Sequence, residues 1–394
     1  MSAGRKTKKH FIPTSLNKVK LVKAGKEYFD CLINMIEQAE KTIHLQTYIF
    51  DDDETGQAVA AALKAAVSRK VQVFVMVDAY ASRVLSQKFI NELRSAGINF
   101  RLFGQLFKSS YFYFGRRLHQ KLVVTDAFYA LTGGINISNR YNDMPGEPAW
   151  LDFALYTEGE IAKDLCDLCW NTWNGFTTSE LAVPCPQPVV RPIQPPEEAC
   201  EVSMCRNDWV RRKNEISSLY VNMFRQAQSH ITILSSYFLP GKVIRSQLAA
   251  ASRRGVKIRV IIAGVSDVPI VKYAERHIYA WLLKHKVELY EYKPTVLHGK
   301  IAVCDTQWAT VGSYNINNLS AYASIELNLK VKQTGFAKAT ETMLNRITEQ
   351  DCKLITTEYQ LQHRSIFKRF TSWLSYNIVC GGLYLSTFYY RHKY

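Results

Sequence analysis

Two stretches of the chain carry the same ionisable groups at the same spacing. "LHQKLVVTDAFYALTGGINIS" begins at Leu118, and "LHGKIAVCDTQWATVGSYNIN" begins at Leu297. His119, Lys121 and Asp126 in the first answer to His298, Lys300 and Asp305 in the second; Gly133 and Asn136 answer to Gly312 and Asn315. Strand residues at i and i+2 emerge on one face, so each His–Lys pair points the same way. A decayed duplication keeps an apolar pattern but has no structural reason to keep His, Lys, Asp and Asn in both copies. Imidazole serves as nucleophile or general acid near neutral pH, and a fixed ammonium neutralises phosphoryl oxygens. Two imidazoles on opposite sides of one phosphorus suit in-line exchange at a phosphodiester. Lys121 and Lys300 would supply charge, and Asn136 and Asn315 would add neutral hydrogen bonds. No acidic cluster suggests a catalytic metal, and no cofactor is expected.

A reacting imidazole needs its second nitrogen fixed, usually by a carboxylate. Each half offers one downstream: Asp152 in "WLDFALYTE" after His119, and Glu326 in "SIELNLKV" after His298. Asp126 and Asp305, although part of the motif, are expected to brace their own loops through backbone hydrogen bonds and to act on rate indirectly. Tyr48 and Tyr237 recur between the halves and suit either the pocket or the core. His44 sits in an alternating strand and reads as structural.

The elements that must position these groups also recur. In the first half an amphipathic helix over 27–41 precedes the strand "TIHLQTYIF". An Ala-rich helix, "GQAVAAALKAAVSRK", precedes "VQVFVMVDAY", and "FINELRSAG" precedes "INFRLFG". In the second, a helix around 214–228 precedes "ITILSSYFL", "SQLAAASRRG" precedes "VKIRVIIAG", and "IYAWLLKHK" precedes "VELYEYK". Helices alternating with β-branched strands predict an α/β fold whose sheets are mixed and largely parallel, flanked by helices. Between the halves, "VPCPQPVVRPIQPPEE" holds six of the chain's 12 prolines, which forbids helix and central strand. The organisation is therefore a basic segment at 1–17, a first domain at 18–180, a linker at 181–199, a second domain at 200–355 and a tail at 356–394.

The paired HxKxxxxD motifs, each followed by a glycine turn and an Asn, resemble the phospholipase D superfamily. Within it, the chain is similar to bacterial cardiolipin synthases that lack N-terminal membrane helices; the resemblance covers roughly residues 18–355. It implies two pseudo-symmetric phospholipase D-like domains with one active site at their interface. It further implies that His119 attacks the phosphate of a phospholipid, phosphatidylglycerol foremost, to form a phosphatidyl-histidine. His298 would protonate the leaving group and then deprotonate the incoming hydroxyl. Asp152 and Glu326 match the family's orienting acids. The resemblance also implies a place at the bacterial inner membrane, peripheral or tail-anchored, with the catalytic domains cytoplasmic.

Bulk properties agree. The chain has 394 residues, ample for two domains, and carries a net charge of +16, which points to a polyanionic partner. Residues 101–125 contain no acid and interleave Phe107, Lys108, Tyr111, Phe112, Arg116 and Arg117 on the approach to His119. That mixture suits an anionic bilayer interface and also single-stranded nucleic acid. The tail decides for the membrane: residues 370–390, including Trp373, are uncharged and aromatic but diluted by Ser, Asn and Gly. They suit an interfacial or re-entrant anchor best, with a true span or a docked helix as alternatives. Nucleic acid is not expected as a partner, and the sequence specifies no oligomeric state. The competing functions are a lipase- or nuclease-type hydrolase of the same superfamily and a membrane- or nucleic-acid-binding scaffold without catalysis. The basic N-terminus has no apolar run and does not read as a signal peptide. The scattered cysteines, Cys166 and Cys169 included, read as buried thiols of a reducing compartment.

Overall fold

The computed structural model describes residues 13–105, 116–175, 185, 198–317, 320–321, 324–358 and 365–391. Phe107, Lys108, Tyr111 and Phe112, expected at the membrane, lie outside the described residues.

The first half runs β1 (Thr14–Lys23), α1 (Lys26–Gln38), β2 (Thr42–Thr47), α2 (Glu54–Ser68), β3 (Gln72–Asp78), α3 (Gln87–Ser95) and β4 (Asn99–Phe103). It continues through β5 (Arg117–Leu118), β6 (Lys121–Thr125), β7 (Tyr129–Gly133), β8 (Phe153–Gly159) and α4 (Glu160–Trp173). The second half repeats the plan. It comprises β9 (Cys200–Asp208), β10 (Lys213–Asn214), α5 (Glu215–Gln226), β11 (His230–Ser235), α6 (Lys242–Arg253), β12 (Lys257–Ala263) and α7 (Pro269–Lys284). Then come β13 (Glu288–Tyr292), β14 (Lys300–Cys304), β15 (Trp308–Gly312), β16 (Ser324–Lys332), α8 (Thr334–Asp351) and β17 (Cys352–Ile355). A final helix, α9, spans Ile366–Arg391.

In each half a parallel block meets an antiparallel one. β4, β3 and β2 run parallel, and β6, β7, β8 and β1 continue the sheet antiparallel from β2. β13, β12 and β11 run parallel, followed by β14, β15 and β16 antiparallel, with β17 on the outer side of β13. β9 pairs with β1 on one side and β16 on the other, so one continuous sheet joins the halves. The expected mixed α/β architecture with two repeats is what the chain forms, but the sheet is not largely parallel: antiparallel pairings outnumber parallel ones, because each half adds an antiparallel block to three parallel strands and the halves join through antiparallel β9. The parallel strands are apolar on both faces because helices cover both, as in "QVFVMVD", buried from Val73 to Asp78.

Each half has its own core beneath its helices, while a third cluster draws on both. Leu118, Leu155 and Trp170 of the first half pack there with Leu234, Ile301 and Leu327 of the second. The shared cluster lies where the two motif strands approach, so it fixes the two halves against each other.

The motif aspartates act as braces. Asp126 and Asp305 sit at φ 54° and 52°, in the left-handed turns that follow β6 and β14. The Asp126 carboxylate accepts from the backbone N–H groups of Glu40, Lys41 and Thr42, at 2.9, 2.8 and 2.8 Å. Asp305 accepts from those of Gln228, Ser229 and His230, at 2.9, 2.8 and 2.9 Å. Each thereby pins the far end of its motif strand to the start of the neighbouring parallel strand.

Three further expectations need correction. Cys166 is not a free thiol: it forms a disulfide with Cys185, which ties the Pro-rich linker to α4. Cys169 does fit the buried-thiol reading, and burial pushes its pKa up. Arg116 is not offered to a membrane. It is buried and ion-paired with Asp208 at 2.5 Å, because the chain turns inward to begin β5. Arg117 is half-exposed, its guanidinium 4.6 Å from the centre of the Tyr80 ring. The tail, thirdly, is a helix docked on the second half. Tyr376 and Val379 pack onto that core, and the Tyr376 ring lies 4.7 Å from His277 of α7. Among the described residues no helix is long and apolar enough to cross a membrane. The outer side of α9 still presents Phe367, Phe370, Trp373, Leu374 and Ile378, with Trp373 49% exposed.

Candidate active site

The two motifs are held by backbone contacts that cross between the halves. Leu118 of β5 pairs in parallel with Ile325 of β16, and His119 N–H donates to the Ile325 carbonyl at 3.1 Å. In the mirror arrangement Leu297 bridges in parallel to Leu151, and His298 N–H donates to the Leu151 carbonyl at 2.8 Å. The residue after Ile325 is Glu326, and the residue after Leu151 is Asp152. Each acid is therefore delivered to the imidazole of the opposite half. His119 Nδ1–H donates to Glu326 Oε2 at 2.9 Å, and His298 Nδ1–H donates to Asp152 Oδ2 at 2.6 Å. Sequence order sets each acid with the His of its own half; the cross-half strand pairing exchanges them. With both Nδ1 atoms engaged, Nε2 is the nitrogen that remains for substrate.

Second contacts fix the acids. Glu326 is wholly buried and accepts from Ser313 Oγ at 2.5 Å. Asp152 is equally buried and accepts from its neighbour's backbone, Phe153 N–H, at 2.7 Å. Ser313 corresponds to Gly134 in the first half, and there glycine is required by close approach. A Cβ on Gly134 would lie 2.4 Å from Asp152 Oδ1.

Lys121 and Lys300 are buried beside the imidazoles, each ammonium donating to the carbonyl of the His two residues before it. Burial lowers the pKa of Lys121 to about 7 and that of Lys300 to about 8, with Asp152 and Glu326 opposing the shift. Burial also lowers both imidazoles; Glu326 resists this at His119, whereas Lys300 reinforces it at His298. Burial raises the Asp152 carboxyl, but the His298 and Lys300 charges outweigh it and leave the pKa below its ordinary value. The site is thus a buried cluster of two neutral-leaning imidazoles and two ammoniums beside two carboxylates.

Tyr48 packs against the site. The Tyr48 ring lies edge-on to His119, 4.9 Å between centroids, with the Lys121 ammonium 5.1 Å from its centre. The Tyr237 hydroxyl donates to Asp267. Tyr141 lies 5.3 Å from His298. His44 is structural, buried 5.1 Å from Phe74 and 4.6 Å from Trp170, and burial lowers its pKa to about 3.

Asn136 and Asn315 are turned to internal work. Asn136 accepts from Ile49 N–H at 3.1 Å and donates to Tyr141 at 2.9 Å; Asn315 accepts from Ser236 Oγ at 2.6 Å. These bonds hold the loops around the site. Asp78 was not foreseen. Buried at the end of β3, it accepts from Leu118 N–H at 2.9 Å and so positions the residue before His119. The signal was present: a carboxylate closing the otherwise apolar "VFVMVD".

Comparison with known proteins agrees with this geometry. The profile of the family described as "Cardiolipin synthase, PLD-like domain" matches twice, over residues 32–163 and 220–348. Cardiolipin synthase B of Shigella flexneri is 35% identical over 346 residues, covering 86% of this chain and 82% of that protein. Cardiolipin synthase B of Escherichia coli strain K12 is 34% identical with the same coverage. Among solved structures, phosphatidylserine synthase of Haemophilus influenzae Rd KW20 superposes with a TM-score of 0.72 at 15% identity. The match covers 95% of this chain and 96% of that one and shows a shared fold. The twin motifs, the repeated α/β unit and the site between the halves agree with these matches, and the chain belongs to the family of cardiolipin synthases with phospholipase D-like domains.

Proposed function

We propose that this chain is a cardiolipin synthase, a phosphatidyltransferase that joins two phospholipids through a phosphatidyl-histidine. The observation that carries the reading is the crossed pair of imidazole–carboxylate contacts around two buried ammoniums. That arrangement leaves both Nε2 atoms for one phosphorus. His119 Nε2 attacks the donor's phosphorus while Lys121 and Lys300 neutralise the non-bridging oxygens. His298 gives its proton to the departing alkoxide; the phosphodiester's charge offsets the repulsion by the lysines and favours the imidazolium beforehand. His298 then takes the proton of the acceptor hydroxyl, whose oxygen displaces His119. Glu326 and Asp152 hold the tautomers and stabilise the charge that develops on each ring. The buried site disfavours water as acceptor, which supports transfer over hydrolysis. The net positive charge and the exposed aromatic side of α9 support attachment to the surface of an anionic inner membrane, with phosphatidylglycerol as donor and acceptor.

The test is to incubate the purified protein with phosphatidylglycerol vesicles and analyse the lipids. Cardiolipin with release of glycerol is the expected result. Phosphatidic acid alone would make the protein a hydrolase, and unchanged lipid would overturn both.

A further inference from the structure

The loops that leave β3 and β12 depart from the end of the sheet that holds the motif lysines. In the second half, Ser235 at the end of β11 pairs with Lys300 on one side and with Ile262 of β12 on the other. In the first, Gln46 of β2 pairs with Leu122, the residue after Lys121, and with Met76 of β3. Each loop therefore begins two strand spacings, about 10 Å, from its motif strand. Hydrogen bonds tie both loops to the site. Asp78 accepts from the N–H groups of Tyr80 and Ala81 at 3.0 and 3.1 Å, and from Leu118 N–H, just before His119, at 2.9 Å. Ser82 Oγ donates to the carbonyl of Tyr48, whose ring packs on His119. In the second half the loop after β12 meets the loop after β11. Asp267 accepts from the Tyr237 hydroxyl at 2.5 Å, and the adjacent Ser236 donates to the motif's Asn315 at 2.6 Å.

These loops hold apolar side chains out in water. The first exposes Tyr80 and Val84; the second, with the first turn of α7, exposes Val265, Val268, Ile270 and Tyr273. Val243, exposed at the start of α6, follows β11 at the same end. Among the described residues the other exposed large apolar side chains are those of α9 and Leu354, and such a concentration marks a contact surface. Arginines flank the tyrosines. Arg83 and Arg117 lie 5.3 and 4.6 Å from the centre of the Tyr80 ring, and Arg276 lies 5.7 Å from that of Tyr273, each without an ion pair among the described residues. The acids of this end are engaged within the protein: Asp51 with Arg140, Asp52 with Gln57, Asp53 with the first turn of α2 and Asp267 with Tyr237. Apolar tips beside guanidiniums that no carboxylate neutralises suit the acyl boundary and the phosphates of an anionic bilayer. Tyr273 also lies one turn before His277, against which Tyr376 of α9 packs, so this surface adjoins the helix that supports membrane attachment.

We infer that the loops after β3 and β12 form a rim, one lip from each half, that seats in the headgroup and upper acyl layers of a phospholipid bilayer, so that the mouth of the site opens onto the leaflet. A phospholipid then presents its phosphate to the histidines while its acyl chains stay among their neighbours, and drawing those chains into water is avoided. The inference rests on the reading of phospholipid as substrate. It goes beyond attachment by α9, because the rim acts in substrate access.

The test gives the whole chain one substrate in two forms: phosphatidylglycerol in vesicles, and dihexanoyl-phosphatidylglycerol dissolved as monomers. Val84→Asp combined with Val265→Asp places one charge on each lip. Turnover, read as cardiolipin or phosphatidic acid, should fall about tenfold or more on vesicles and hold on the monomeric lipid. Leu354→Asp, a charge at an exposed apolar residue outside the rim, should change neither. Because α9 still attaches the variant to vesicles, the ratio of the two turnovers reads access. Tryptophan substitution gives a second reading. Fluorescence added by Val84→Trp or Val265→Trp should be quenched by vesicles with brominated acyl chains, and that added by Leu354→Trp should not. A ratio that the double variant leaves unmoved, or added fluorescence at Val84 and Val265 that bromine does not quench, would overturn the inference while leaving phosphatidyl transfer standing. No product from either form with the wild-type protein would overturn the phospholipid reading itself, and this inference with it.

Discussion

His119 Nδ1 lies 2.9 Å from Glu326 Oε2, although 207 residues separate them in the chain. The pair exists only because β5 lies alongside β16, and the reciprocal pair, His298 with Asp152, depends on the matching bridge between Leu297 and Leu151. Neither half holds a complete imidazole–carboxylate pair by itself.

The crossing predicts which acid governs which imidazole. Glu326→Gln should shift the ¹⁵N resonances of His119, and Asp152→Asn those of His298. Each change should lower kcat by about a thousandfold through loss of tautomer control. Resonances that follow the acid of the same half would refute the crossing.

Gly134→Ala tests how closely Asp152 must be placed. The new methyl would lie 2.4 Å from Asp152 Oδ1, so the carboxylate must move away from His298. Turnover should drop roughly a hundredfold, as for a displacement of about 1 Å at a reacting group. The circular dichroism spectrum should not change.

Lys121→Met should abolish turnover by at least about a thousandfold, since it removes charge from the phosphoryl oxygens. It should also raise the thermal midpoint, because a buried ammonium is costly. The sign with pH follows from the lowered pKa. Burial holds Lys121 at about 7 against an ordinary 10.5, so between these values the unfolded chain binds the extra proton. The penalty is complete below pH 7 and fades toward pH 10.5, so the variant's advantage in midpoint should shrink across that window. An advantage that grows with pH would contradict this assignment.

Arg116→Leu should cost about 3–5 kcal/mol in denaturant unfolding, as it leaves the buried Asp208 charge without its ion pair. Sedimentation with anionic vesicles should be unaffected once stability is matched, because the guanidinium faces the interior. A selective loss of vesicle binding would return Arg116 to the membrane surface.

The double change Phe370→Glu and Trp373→Glu places charge on the outer side of α9 without touching the Tyr376 and Val379 contacts. Binding to phosphatidylglycerol vesicles should weaken by about tenfold or more, and the thermal midpoint should hold. Undiminished binding would remove this helix from the membrane surface.

Much of the molecule was legible in the chain. The two HxKxxxxD stretches, the alternation of helices and strands and the Pro-rich linker are local patterns, and local patterns are written in composition and period. They determined the two-unit α/β plan, the candidate imidazoles and lysines, and the bracing role of Asp126 and Asp305. The bracing was legible but its object was not: Asp126 and Asp305 hold, rather than their own loops, the backbone N–H groups leading into β2 and β11, 84–86 and 75–77 residues away in the chain.

Tertiary structure decided the rest. Which carboxylate serves which His depends on strand pairing across the halves. The bonds of Asn136 and Asn315 to Ile49, Tyr141 and Ser236 depend on loops from elsewhere in the fold. Arg116 looks like its half-exposed neighbour Arg117 in sequence and is buried only because Asp208 comes up against it. Cys166 looks like a core thiol and is bridged only because Cys185, 19 residues on, comes up against it. These are contacts between residues distant in the chain, and no spacing rule in a linear sequence encodes the approach of two surfaces that only the packed sheet brings together.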